Sequence, residues 1–199
     1  MRPIILRGSL VSIGMLLKDD LRQVWLWYND RDVRKYLSFP EEIFFYEDEL
    51  EWYEALRREK KHEKVFAIME NSSRSLVGLV GLHRIDHHNG RAELGYFLAK
   101  RHWGHGYASE AVKLALEYAF EWLNLRKVYA HVFETNIASI RVLEKNGFKL
   151  AGRWRKHQYV PGEGFVDVLM YERFREQDAI NESPTNADLL PAVKGEGSA

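Results

Sequence analysis

Two glycines one residue apart, Gly104 and Gly106, mark the point where the period of the sequence changes. No other feature restricts the possible folds as much. Before them, residues 65–70, 76–85 and 91–98 read as three consecutive strands. Asn71-Ser72-Ser73 and His88-Asn89-Gly90 supply the intervening turns, so an antiparallel meander is expected. After the glycines, Ala108, Ala111, Val112, Ala115, Leu116, Ala119 and Leu123 recur at helical spacing on one face. That face is dominated by alanine, which lets a helix lie close against a sheet.

The remaining segments fit the same architecture. Residues 4–13 read as a first strand, bounded by Gly8 and Gly14. Asp19 and Asp20 precede a helical pattern at Leu21, Val24, Trp25 and Tyr28. A short helix over 31–37, ended by Phe39-Pro40, and a charged helix over 47–60 should follow. Beyond the alanine-rich helix, 127–133 reads as a strand and 137–145 as a helix, with Asn146-Gly147 as its left-handed C-cap. Residues 148–155 and 165–173 are the last strands, flanking the turn Pro161-Gly162-Glu163-Gly164. The order predicts an α/β (α+β) domain over 1–176, a mixed sheet flanked by helices. Residues 177–199 are polar, contain prolines and glycines, lack an apolar period and read as a C-terminal tail.

Composition removes several classes of function. The chain has 199 residues and 46% hydrophobic side chains, enough for one domain with a sizeable core. Basic and acidic residues balance at 29 each, so no global field favours nucleic acid or an anionic membrane. There is no cysteine, which excludes disulfides, thiolate metal sites and a cysteine nucleophile. No apolar run is long enough for a transmembrane helix or shaped like a signal peptide, and a cytoplasmic location is expected. His83, His87 and His88 cluster near one turn without a partner acid at ligand spacing, so no metal site is expected.

The chemistry centres on Arg101-His102-Trp103-Gly104-His105-Gly106-Tyr107-Ala108. Glycines at this spacing let several backbone N–H groups turn toward one point, and the helix that follows adds its positive end. Such a loop can hold a diphosphate, although a tight strand-to-helix turn explains the same residues. A Walker loop is excluded by the missing Gly-Lys-Ser/Thr. Gly104-x-Gly106-x-x-Ser109 approaches a dinucleotide fingerprint, with Glu134 as a ribose-binding acid. However, residues 99–103 separate it from its strand, and too little chain follows for the remaining βαβ units.

Three motifs in order resemble a known family. Arg101-x-x-Gly104-x-Gly106-x-Ala108 looks like the coenzyme A loop of the GNAT superfamily of N-acetyltransferases. Ala92-Glu93-Leu94-Gly95-Tyr96 and Asn136-x-x-Ser139-x-x-x-Leu143-Glu144-Lys145-x-Gly147-Phe148 resemble its ribosomal-protein and polyamine acetyltransferase branch. The resemblance implies a GNAT fold, a mostly antiparallel mixed sheet with flanking helices. It further implies acetyl-CoA as cosubstrate and direct attack of a primary amine on the thioester. The acceptor would be a protein N-terminus or a small cationic amine such as a polyamine, and relatives often form homodimers. A non-catalytic CoA- or nucleotide-binding module of the same fold is the alternative.

The resemblance assigns the pyrophosphate to backbone amides of Trp103, Gly104, His105, Gly106, Tyr107 and Ala108, with Arg101 closing the loop. It lays the pantetheine arm along 93–98, where a free N–H near Tyr96 or Phe97 polarises the thioester carbonyl and Leu98 completes the edge. Asn136 either hydrogen-bonds that arm or caps the following helix. Glu93 is either the base for the acceptor or the ion-pair partner of Arg91. Many relatives carry a tyrosine where this chain has Leu143, so Ser139 becomes the candidate acid for the departing thiolate. An acidic stretch, Glu41, Glu42, Glu47, Asp48, Glu49, Glu51 and Glu54, is either a solvated face or a border of the acceptor pocket, with Phe44, Phe45, Trp52 and Tyr53 as apolar walls.

Overall fold

The structure, a computed structural model, describes residues 2–37 and 40–176. The expected tail at 177–199, and the expected helix end at Phe39, lie outside the described residues. The N-terminal segment departs from expectation. It forms two strands, β1 (Ile4–Arg7) and β2 (Val11–Met15), joined as an antiparallel hairpin where one strand was expected. Gly8 makes the turn, its N–H donating to the Val11 carbonyl at 2.8 Å.

Three helices follow: α1 (Leu21–Tyr28), α2 (Arg31–Arg34) and α3 (Tyr46–Arg58). The second is shorter than expected. Asp30 caps it through the Asp32 N–H at 3.0 Å, and a turn begins at Lys35. The meander β3 (Lys64–Glu70), β4 (Leu76–Asp86) and β5 (Arg91–Leu98) forms as read from the sequence. Next come α4 (Tyr107–Glu117), continued by a π-type turn at Tyr118–Trp122, then β6 (Lys127–Phe133) and α5 (Ile137–Lys145). The chain closes with β7 (Lys149–Val160) and β8 (Gly164–Phe174), a hairpin longer at both strands than the apolar pattern suggested.

The eight strands form one sheet in the order β1-β2-β3-β4-β5-β6-β8-β7. Every pairing is antiparallel except β5 with β6. That exception governs the site. The parallel register holds only for Arg91↔Lys127, Ala92↔Val128 and Glu93↔Tyr129. Beyond Glu93 the two strands splay, leaving one edge of 94–98 without a strand partner.

Alternation assigns the strands two faces. On one face, Ala92, Leu94, Val128, Ala130 and Val132 are buried against Ala111, Val112, Ala115 and Ala119 of the α4 segment. The alanines allow the close approach the sequence predicted. Leu143 of α5 is 1% exposed in the same core, and a side chain buried this fully stabilises by roughly 1.5–3 kcal/mol. On the other face, Ala67, Leu79 and Phe97 pack under Leu21, Val24 and Trp27 of α1. One long-range contact joins the hairpin to α4. The Glu110 carboxylate accepts from the N–H groups of Ser9, Leu10 and Val11 at 2.8, 2.7 and 2.7 Å. Burial works against that charge, but the three N–H donors outweigh it and hold Glu110 below the usual carboxylate range.

Candidate active site

A cavity of ≈ 400 Å³ opens where β5 and β6 part, between the loop before α4, the start of α5 and the segment around α2. Of the residues assigned from sequence, Tyr96, Phe97, Leu98, Trp103, Gly104, Gly106, Tyr107, Ala108, Asn136 and Ser139 line it. Glu93, Arg101 and His105 do not. The Arg101 Nε donates to His102 Nε2 at 2.9 Å, and His105 stacks on Tyr107.

The loop has the geometry that glycine permits. Gly104 and Gly106 sit at φ +79° and +82°, a region that L side chains rarely adopt. A Cβ on Gly104 would meet nothing within 4 Å, so no protein atom occupies the space beside that backbone. Gly106 caps α4 without any side-chain hydrogen bond, so no side chain spends the first N–H groups of the helix. The Trp103 indole donates to the Leu98 carbonyl at 2.9 Å and pins the loop to the strand end.

The splayed edge presents specific groups. Ala99 N–H donates to Val77 O at 3.0 Å, and the register places Phe97 opposite Leu79 and Gly95 opposite Gly81. In an antiparallel ladder the donors alternate, so the N–H groups of Phe97 and Gly95 turn to β4. Those of Tyr96 and Leu98 turn into the gap. The expectation of a free N–H near Tyr96 or Phe97 therefore narrows to Tyr96.

The side chains at the mouth were only partly legible. Tyr96 Oη lies 2.8 Å from Ser139 Oγ, and burial pushes the tyrosine up to about 12. Asn136 caps α5, its Oδ1 accepting from Ser139 N–H at 3.2 Å. Leu143, where a tyrosine was compared, lies in the core and is closed to chemistry. Asp32, Val33, Tyr36 and Leu37 also line the cavity, and no sequence motif announced them. Tyr36 donates to Glu163 Oε1 at 3.2 Å, bringing the β7–β8 turn across to the α2 segment.

Glu93 has neither of its expected surroundings. Its partner is not Arg91, which pairs with Asp86 at 3.4 Å. Glu93 Oε2 instead accepts from Arg84 Nη1 at 2.8 Å, and its Oε1 lies 2.9 Å from His131 Nδ1. The His131 hydrogen bond, with the Arg84 charge, holds its carboxyl below the usual range although burial pushes the other way.

Residues 15–149 match the family described as an acetyltransferase (GNAT) domain. The chain belongs to the GNAT acetyltransferases. It is 32% identical to an uncharacterized N-acetyltransferase, p20, of Bacillus licheniformis over 81% of this chain and 89% of that one. It is 31% identical to the spermidine N(1)-acetyltransferase of Vibrio cholerae, over 81% of this chain and 91% of that one. The crystal structure of the Vibrio cholerae spermidine N-acetyltransferase in complex with CoA and spermine superposes with a TM-score of 0.76 at 27% identity, covering 84% of this chain and 96% of that chain.

This GNAT protein is therefore an acetyl-CoA-dependent N-acetyltransferase that acts on an amine. The residues present fit that cosubstrate. The open backbone at Gly104 and the uncapped start of α4 suit a diphosphate, and the unpaired β5 edge suits an amide-bearing arm. Among the described residues, no group of three or more His, Cys, Asp or Glu is placed to hold a metal ion. Among them, too, no helix is long and apolar enough to cross a membrane. Of the supposed pocket walls, Phe45 is 68% exposed, Phe44 packs on Tyr28, and none of the four aromatics lines the cavity.

Proposed function

We propose that the acceptor is a small polyamine-like cation rather than a protein N-terminus. The observation that carries this is Glu49. This α3 carboxyl is 5% exposed, and it forms no hydrogen bond or ion pair among the described residues. Burial, then its neighbour Asp48, pushes it up to about 7. Neither it nor Tyr28 lines the cavity, but it acts on Tyr28, whose ring meets the cavity-lining Phe97 edge-on at 5.0 Å. A buried anion without a cation is costly, and an ammonium group arriving with the substrate would offset that cost. The Vibrio cholerae and Escherichia coli relatives named as spermidine N(1)-acetyltransferases support the same class.

In this reading, amides of the Trp103–Ala108 loop bind the pyrophosphate and Tyr96 N–H stabilises the charge that builds on the thioester oxygen. The Tyr96–Ser139 hydroxyl pair passes a proton to the departing thiolate. A lysine-like or polyamine nitrogen has a pKa near 10.4, so about 4–5 kcal/mol of barrier at pH 7 is deprotonation alone. The site therefore needs a base. The test of the acceptor class is Glu49→Gln, assayed with spermidine and with a singly charged alkylamine. The proposal expects KM for spermidine to rise at least tenfold with the monoamine unaffected. Equal KM values in both proteins for both amines would contradict it.

A further inference from the structure

We propose that His131, held by Glu93, is the base that deprotonates the attacking amine, and that Glu93 is its positioning residue. The proposal deepens the acetyl-transfer reading and rests on it. Position comes first. Glu93 and Tyr129 form the last registered pair before β5 and β6 part. His131 lies two residues further along β6, on the same face as Glu93, and so beside the open part of the gap. Its side chain is 26% exposed, open to an acceptor arriving from that face.

Hydrogen-bond chemistry then separates the two candidates. An ionised carboxylate only accepts, so His131 Nδ1, 2.9 Å from Glu93 Oε1, must carry the proton in that contact. In the neutral imidazole the other nitrogen, Nε2, then holds a free lone pair. Among the described residues Nε2 has no hydrogen-bond partner. Glu93 has both oxygens engaged, Oε1 by His131 and Oε2 by Arg84 at 2.8 Å. A carboxylate tied twice, once to a guanidinium, is a poor acceptor for a third proton. The same tie makes it a good anchor. It fixes the imidazole tautomer and its orientation. Trp154 stacks on the ring at a centroid distance of 5.0 Å and 19°, fixing its plane.

The step balances as follows. His131 Nε2 takes one proton from the ammonium, and the freed nitrogen pair forms the C–N bond at the thioester carbonyl. As the C–S bond breaks, the thiolate gains a proton from the Tyr96–Ser139 pair, and the second proton that the nitrogen sheds restores that pair. One proton leaves the imidazolium for water, the net proton of the reaction.

Several charged or titratable groups surround His131. Glu93 stands on β5, with Arg84 and His83 of β4 acting on it. Tyr129 lies on its own strand, and His157 beyond Trp154 on β7. His131 and Tyr129 line the adjoining groove rather than the cavity itself, together with Arg91, Arg126, Lys127 and Glu172. The experiment compares His131→Asn, which keeps a donor for Glu93 but cannot titrate, with Glu93→Gln. Turnover is followed from pH 6 to 9.5 on the best acceptor, with acetyl-CoA affinity measured alongside. His131→Asn should lose roughly 10²–10⁴-fold in kcat at pH 7 with acetyl-CoA affinity unchanged, recovering partly by pH 9.5. Added imidazole should restore part of the turnover of His131→Ala. Glu93→Gln should lose less, and Glu93→Asp, which keeps a carboxylate acceptor for Nδ1, should lose least. A larger loss in Glu93→Gln than in His131→Asn, or full turnover in folded His131→Asn, would overturn the assignment alone. A wild-type protein that acetylates no amine would overturn the acetyl-transfer reading with it.

Discussion

At the scale of single residues, the site depends on contacts between side chains far apart in sequence. Tyr96 and Ser139 illustrate this. Either hydroxyl alone is an unremarkable acid, but at 2.8 Å one can donate while drawing on the other. Ser139→Ala and Tyr96→Phe should each lower kcat, by up to ~10²-fold, with little change in acetyl-CoA affinity. The double variant should be little worse than the poorer single, because both remove one relay. Independent, additive losses in steady-state kinetics would contradict a relay. Glu49 yields a stability prediction. Its folded pKa, about 7, lies above the ordinary value of 4.5, so the folded state holds its proton longer than the unfolded chain. Stability should therefore fall as pH rises from about 4.5 to 7 and level off above. Glu49→Gln should remove that slope and add on the order of 2 kcal/mol at pH 8, measured by denaturant unfolding across pH without substrate. The sequence offered Glu93 and Ser139 as candidates but could not supply their partners. Arg84 reaches Glu93 because it sits at φ +48° where the β4–β5 register shifts, and a plain strand pattern hides such a bulge. His131 is 38 residues from Glu93, and only the parallel pairing brings them together.

At the scale of elements, the loop before α4 and the splay of β5 from β6 shape the cavity. The loop was legible because glycine spacing and a change of period are local signals. Gly104→Val with Gly106→Val forces branched side chains into positive φ and fills space that the backbone leaves open. Acetyl-CoA binding should weaken at least tenfold, about 1.4 kcal/mol, by calorimetry. Unchanged affinity in a folded double variant would remove the loop from the site. Glu110 ties this helix to the N-terminal hairpin. Glu110→Ala leaves three N–H groups without their acceptor and should cost roughly 2 kcal/mol, read as a shift in the denaturation midpoint. The hairpin itself was misread as one strand because Ser9 and Leu10 continue a plausible β pattern. The turn is stabilised by a carboxylate about a hundred residues away, which no local window contains. The boundaries of α5 were legible for the opposite reason. Asn136 and Gly147 cap it from within the same segment.

At the scale of the whole molecule, the sheet presents two faces at one gap. One face holds α4 and α5 with the loop and the Tyr96–Ser139 pair. The other carries Glu93 and His131, with Glu49 on α3 beyond the Tyr28–Phe97 contact. The gap where β5 and β6 separate lies between the two sides. A Vibrio cholerae spermidine N-acetyltransferase of similar fold, TM-score 0.73 at 26% identity, is described as dodecameric. The mixed order of elements was enough to read this architecture, whereas Asp32, Val33, Tyr36 and Leu37, which line the cavity, carried no motif. The most direct measurement is acetyl transfer from labelled acetyl-CoA to spermidine, spermine, a monoamine, an aminoglycoside and peptides with free N-termini. Acetyl transfer is expected to the linear polyamines, with kcat/KM higher for them than for the monoamine, the aminoglycoside or the peptides. Tight binding of acetyl-CoA with no transfer to any of these amines would contradict it.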